Sequence, residues 1–324
     1  ALVAAAPAAA HGPNHLQAAA HYLVLDRPSH PLAAVYDGSA GPDVDPVPLV
    51  RELVLSECDV VAELLATRSV QTNEIGRVAP IAAGLGRLAD RLGPWPGGER
   101  IALVDVGCSA GLNLLVDRYR IVYLDGSAPD AARAATVATV GPEDAAVVVP
   151  TRWLGGAVPE PPAIGWRRGI DREPRDVTDP ETARWLTALT WPGQPDRVAR
   201  VRAAVAMAAA DPPPIQRADA LAGLEAALAA APADLPVVVV TSWVVFYFDA
   251  DLRLAFDGLI AGADRPVAWL SLEMAGVVEL PAIEQPQTAG ELSLIGVVAT
   301  GGAGSVVRES LGWVHPHGAP IHWS

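Results

Sequence analysis

The sequence predicts an α/β fold: a mostly parallel sheet with an antiparallel C-terminal edge, preceded by an N-terminal helical cap. Three observations carry this expectation. Residues 101–106 (IALVDV) and 236–243 (PVVVVTSW) are apolar runs without alternation, as strands buried on both faces require. Strand and helix patterns then take turns through the second half of the chain. The tail, 291–324, holds β-rich segments around Gly301–Gly304 and reads as a terminal antiparallel pair.

Taken in order, residues 1–95 form the expected cap. Leu16–Leu25 and Val47–Leu65 place apolar residues three and four apart, separated by a Pro/Gly/Asp-rich connection over 28–48. Gln71-Thr72-Asn73-Glu74 precedes another periodic run, Ile75–Leu92, with Thr72 or Asn73 as its N-cap. The breakers of 93–98 (GPWPGG) mark entry to a second region, 96–324. Within it, 119–165 reads as a hairpin-like insertion, because only about two helical turns precede Tyr119 and a parallel crossover needs more. Further strands end at Gly169-Ile170-Asp171, at Asp219, after Trp243 and at Glu273, with helices over 180–190, 195–210, 220–230 and 249–261.

The 324 residues can bury a sizeable core. The formal charge of −14 and a pI near 4.8 argue against a nucleic-acid partner, since phosphate affinity needs clustered cations. All 23 basic residues are arginine, a pattern of coding bias rather than chemistry. Cys58 and Cys108 stand far apart, so neither a disulfide framework nor a zinc site is expected, and a reducing cytoplasm fits. No apolar run reaches the ~18–20 residues of a membrane span. Ala1–Ala10 lacks the basic start of a signal peptide, and opening on Ala rather than Met suggests a missing natural N-terminus. The oligomeric state is not legible.

The stretch that organises the chain is 101–117, IALVDVGCSAGLNLLVD. A strand, a turn of small residues (Gly107 to Gly111) and resumed helical spacing succeed one another. Asp105-x-Gly107-x-x-x-Gly111 suits a Rossmann-like cradle for a nucleoside cofactor. Gly107-x-Ser109-x-Gly111 also fits the nucleophile elbow of an α/β-hydrolase, and a packing turn accounts for the same residues. In an open α/β sheet ligands bind beyond the carboxyl ends of the strands, so the acids that close strands matter most. These are Asp105, Asp171, Asp219 and Glu273; Asp125 is the simple fingerprint alternative to Asp171 for a ribose.

The segments Val70–Arg77 (VQTNEIGR), Val104–Leu114 (VDVGCSAGLNL), Gly169-Ile170-Asp171, Asp176–Asp179 (DVTD) and Trp191-Pro192 resemble the DUF2332 family of bacterial proteins. So do Asp211–Pro213 with Asp219-Ala220, and the closing His315–Gly318 (HPHG). That family is similar in fold to class I S-adenosylmethionine-dependent methyltransferases. The resemblance implies that Asp105, Gly107, Ser109, Gly111 and Asn113 surround the methionine part of S-adenosylmethionine. It further implies Asp171 at the ribose, Asp219 and Ala220 at the adenine, and Thr241 and Trp243 lining the site. Ser109 stands where the family similarity calls for glycine.

Methyl transfer is an in-line displacement governed by positioning, and a base is needed only if the acceptor must lose a proton. Glu74, Tyr247 and Glu273 are the candidate bases, and Asn73 and Arg77 the candidate contacts to a small-molecule acceptor. Trp243, Phe246 and Tyr247 offer ring faces to a cation. The hydrolase alternative takes Ser109 with His315, His317 or His322 and Asp249 or Asp251. A third reading is a nucleoside-cofactor-binding protein without catalysis. The C-terminal histidines are read as loop residues, and no metal is expected.

Overall fold

The computed structural model describes residues 12–41, 43–71, 73–91, 100–288, 290–300 and 306–324. The readings made at 1–11, Thr72, Leu92, 93–98 and 301–304 lie outside the described residues.

Along the chain come α1 (Gly12–Val24), α2 (Pro31–Tyr36), α3 (Pro46–Ser56), α4 (Cys58–Thr67) and α5 (Val78–Arg91). Strands β1 (Arg100–Val106), β2 (Arg120–Asp125), β3 (Thr136–Val140), β4 (Val148–Leu154) and β5 (Ala163–Asp171) come next. Then come α6 (Pro180–Ala188), α7 (Pro195–Ala210), β6 (Ile215–Arg217), α8 (Ala220–Ala230), β7 (Val237–Ser242) and α9 (Ala250–Ala261). The chain closes with β8 (Val267–Met274), β9 (Ser293–Thr300), β10 (Val306–Val314) and β11 (Ile321–Trp323). No helix among the described residues is long and apolar enough to cross a membrane.

The chain divides into two units: 1–73 with 175–210, and 74–174 with 211–324. The helical region therefore ends at 73 rather than 95, and regains 175–210 from the second half. Helix α5 groups with the sheet because its small residues let it press onto a strand. A Cβ on Gly84 would lie 2.6 Å from Leu270 Cδ1 of β8.

In the helical unit, Asp45 and Asp179 accept from the first free backbone N–H groups of α3 and α6, each followed by a proline. The unit's core gathers Ala18–Ala20, Leu23, Leu53, Val61, Leu65 and Trp185. Trp185 Nε1–H donates to Ser69 O at 2.9 Å, tying α6 to the segment that leaves α4.

The sheet unit holds one 11-stranded sheet, ordered β3-β2-β4-β11-β10-β9-β8-β7-β1-β5-β6. Its pairings are mostly parallel; β9 runs antiparallel to both β8 and β10, β10 runs antiparallel to β11, and β3 is an antiparallel edge. Residues 119–165 do form an antiparallel pair, β2 with β3. Together with β4, however, they extend this same sheet, because β4 pairs with the C-terminal β11. After β1 the chain crosses to the far edge for β2, β3 and β4, returns beside β1 as β5, moves outward to β6, and then passes to the other side of β1 for β7 and β8. The winding reverses between β1 and β7, where such a sheet opens a crevice beyond its carboxyl ends.

Side chains alternate between the faces of each strand. Ala102, Val104, Val106, Val237, Val239, Val267 and Trp269 join Leu224 of α8 with Phe256 and Ile260 of α9 in one core. The opposite face, which takes Leu270, lies under α5. Asp105, between Val104 and Val106, therefore points to the α5 face.

Candidate functional site

The loop after β1 is fixed by its backbone. Gly107 (φ 77°), Ser109 (φ 53°) and Gly111 (φ 70°) are all left-handed. Serine adopts that region at a cost of roughly 1 kcal/mol, so something must hold it there. Gly107 N–H and Cys108 N–H donate to Ile170 O at 2.8 and 3.2 Å, latching the loop to the end of β5. Ser109 N–H donates to Asp171 Oδ2 at 2.7 Å, and Glu173 N–H to Asp171 Oδ1 at 2.8 Å. The segment after Gly111 is not an α-helix but a 3₁₀ helix, Leu112–Arg118, kinked at Leu115.

The glycines of this loop serve packing. A Cβ on Gly107 would meet Val244 Cγ2 at 2.5 Å, and one on Gly111 would meet Pro213 Cγ at 2.8 Å. The Gly107–Gly111 turn is thus filled from outside by Val244, which no motif singles out, and by Pro213, the last residue of the Asp211–Pro213 segment.

Asp105 is the anomaly. It is 3% exposed, and its Oδ2 has no hydrogen-bond partner among the described residues. Burial, then the negative charge of Asp171, push its pKa up to about 8, while the Arg77 guanidinium pulls the other way. Asn113 adds a second buried acceptor, Oδ1, without a partner among the described residues. The Cys108 thiol is raised by burial and by both acids, which makes it a poor nucleophile.

At the end of β7, Trp243 also has a left-handed backbone, φ 58°, an outlier for an aromatic residue. Its Nε1–H donates to Ser293 Oγ at 2.8 Å, and Arg77 stands 5.9 Å over its ring. Arg77 donates from Nε to Pro316 O at 2.9 Å and from Nη1 to Ser242 O at 3.2 Å. Arg77, Trp243, Ser293 and Pro316, with Pro80, Leu272 and His315, line a shallow surface depression that encloses no cavity.

The remaining candidates are placed as follows. Glu273 Oε1 accepts from Val244 N–H and Val245 N–H at 3.0 and 3.1 Å; burial raises its pKa, and Oε2 has no partner among the described residues. Thr241 Oγ1 accepts from Trp269 Nε1–H at 2.9 Å. Alternation carries both side chains to the α8–α9 face, away from Asp105, and Ser242 is the hydroxyl that reaches Arg77. Asp219 is exposed and caps α8 through Leu221 and Ala222 N–H, with Ala220 in the first turn. Asp125 holds its own turn through Ser127. Tyr247 is 66% exposed beside Phe246, and partial desolvation raises its pKa. Asn73 falls in the helical unit, Glu74 in the sheet unit.

Glu74 Oε1 accepts from Gly76 N–H at 3.0 Å, and its Oε2 lies 3.2 Å from His317 Nδ1. The two segments press backbone on backbone: a Cβ on Gly318 would lie 2.1 Å from Gly76 O. The motif segments 74–77, 104–111, 169–171 and 315–318 thus all belong to the sheet unit, the first and last in direct contact. His322 instead sits in β11, five strand spacings or about 24 Å from β1, too far to serve Ser109. Among the described residues no group of three His, Cys, Asp or Glu side chains could hold a metal ion.

No curated protein and no solved structure matches the chain. The profile of DUF2332, described as an uncharacterized protein conserved in bacteria, matches residues 1–323. With nearly its whole length matched, the chain belongs to the DUF2332 family.

Proposed function

We propose that the sheet unit is a Rossmann-like, class I methyltransferase-type domain that binds S-adenosylmethionine and methylates a small molecule. The observation that carries this reading is the buried Asp105, its Oδ2 unpartnered among the described residues, at the strand-order reversal. A carboxyl held there beside Asp171 at a cost is matched by a cationic ligand group, and the cofactor offers an ammonium and a sulfonium. Asp105 and the Asn113 Oδ1 would accept from the ammonium. Asp171, whose two oxygens each take one backbone N–H, retains lone pairs for ribose hydroxyls. The fit rests on these acceptors and not on a glycine cradle, because Val244 occupies the approach to Gly107. When bound, the cofactor supplies a methyl group activated on sulfur. Arg77, Ser242 and Trp243 form the wall on which an acceptor would rest, and their rigid hydrogen bonding supplies the positioning that in-line displacement requires.

Titration calorimetry with S-adenosylmethionine and S-adenosylhomocysteine tests the reading. Binding is expected for both; no heat from either at high protein concentration removes it. One observation favours a second reading: Ser109 has the left-handed backbone of an elbow nucleophile. Labelling by a fluorophosphonate that disappears in Ser109→Ala would establish a hydrolase instead.

A further inference from the structure

We propose that His317 is a general base held in its working tautomer by Glu74, and that the acceptor is a hydroxyl or amine that must lose a proton. The proposal rests on the methyl-transfer reading above.

Glu74 is an unusual ion-pair partner. Its side chain is 3% exposed, whereas that of His317 is 46% exposed. A surface pair that merely decorates the protein leaves both groups in water; here the carboxylate is buried and only the imidazole is presented. Glu74 is also fixed at both oxygens, Oε1 on Gly76 N–H and Oε2 on the ring. The ring in turn is carried by a tightly braced loop, since Gly318 and Gly76 meet backbone to backbone and Thr151 Oγ1–H donates to Gly318 O at 2.9 Å.

A carboxylate at Nδ1 selects the tautomer with its proton on Nδ1, which leaves Nε2 as the basic nitrogen. Among the described residues, the charged and titratable groups near the ring include Glu74, His315 and Arg77. The His315 ring centroid is 5.1 Å away and its Nδ1 accepts from His317 N–H, while Arg77 stands on the turn after Glu74. The depression lined by Arg77, Trp243, Ser293 and His315 adjoins this loop. With the cofactor bound, the acceptor's lone pair would take the methyl carbon from the sulfonium, whose bonding pair would stay on sulfur. The acceptor proton passes to His317 Nε2 and from there to water. Glu74 acts through the imidazole and is a positioning residue.

The test is spectroscopic. Glu74→Gln keeps an oxygen for Gly76 N–H but turns an amide N–H₂ toward Nδ1, which forces the ring proton to Nε2. Long-range ¹H–¹⁵N NMR of the wild type should show the neutral His317 ring protonated at Nδ1, and the variant ring protonated at Nε2. Acylation of His317 by diethyl pyrocarbonate, read by peptide mass spectrometry, should slow about tenfold in Glu74→Gln, as expected when the reactive lone pair is lost. A wild-type ring protonated at Nε2, or equal acylation rates, overturns the dyad. The two proposals fail separately: absent heat with S-adenosylmethionine defeats the methyl-transfer reading, whereas the tautomer is measured without any ligand.

Discussion

Replacing Asp105 with asparagine should make the protein more stable while weakening its ligand. The carboxyl is 3% exposed with a pKa of about 8, against an ordinary value of 3.8 in the unfolded chain. At pH 7 the folded state keeps it neutral while the unfolded state ionises it, a linkage cost of about 4 kcal/mol. The folded pKa is the higher one, so the penalty is absent below the unfolded value and grows as pH rises toward the folded value. An asparagine side chain has the same shape and no charge. The stability gained by Asp105→Asn should therefore rise by about 1.4 kcal/mol per pH unit between roughly pH 4 and 8, then level off. Urea denaturation of both proteins at several pH values across that window measures the difference, in which titrating groups not coupled to Asp105 cancel. Calorimetry with S-adenosylmethionine should show affinity reduced at least about tenfold, as loss of a charged hydrogen bond predicts. A stability difference that does not change with pH would refute the burial argument. A stabilised variant that binds as tightly as the wild type would leave the burial intact and take Asp105 out of the site.

Three other substitutions probe further parts of the structure. Asp171→Ala removes a negative charge from beside Asp105, so the upper edge of the pH window over which Asp105→Asn stabilises should move down in that background; an unmoved edge would show that the two acids do not interact. His21 is buried with its pKa lowered to about 4 by desolvation, and its Nδ1–H donates to Ala188 O and Thr190 O. Its contribution is whole above the ordinary value of 6.5 and lost as pH falls toward 4, about 3 kcal/mol in all, so His21→Phe should flatten the acid limb of thermal melts; an unchanged limb would contradict this. Gly318→Ala places a Cβ 2.1 Å from Gly76 O at φ 86°, and should cost about 2–4 kcal/mol in chemical denaturation. A cost below ~1 kcal/mol would mean that the loop can move.

The sheet was legible because its central strands are buried on both faces and so appear as apolar runs without alternation, Ile101–Val106 interrupted only by Asp105, and Val237–Val240. The edge was not. β2, β3 and β4 read as an insertion because what makes them part of the sheet is the pairing of β4 with β11, a contact about 170 residues away that leaves no local pattern. The 3₁₀ segment after Gly111 was likewise hidden: Leu112, Leu114, Leu115 and Val116 have helical spacing, yet the kink at Leu115 decides the geometry.

For the site, what was missing is the side of the sheet. Acids at strand tips were visible, and Asp105 and Asp171 do come together through the loop at Ser109. Asp219 was equally visible and became a helix cap, the ordinary use of an aspartate before a helix. Thr241, Ser242 and Glu273 show how one residue of parity separates the roles. Thr241 and Glu273 share the alternation of Val239 and Trp269, so one braces an indole and the other props the strained turn at Trp243. Ser242, one residue on, faces the other way and meets Arg77. The strand order needed to know which face carries α5 depends on contacts across the whole chain, and parity becomes informative only once that face is known. His317 required the same information. A histidine between Pro316 and Gly318 reads as a loop residue until the fold brings Glu74, far earlier in the chain, to its ring; then a buried carboxylate with an exposed imidazole is the arrangement that proton transfer needs.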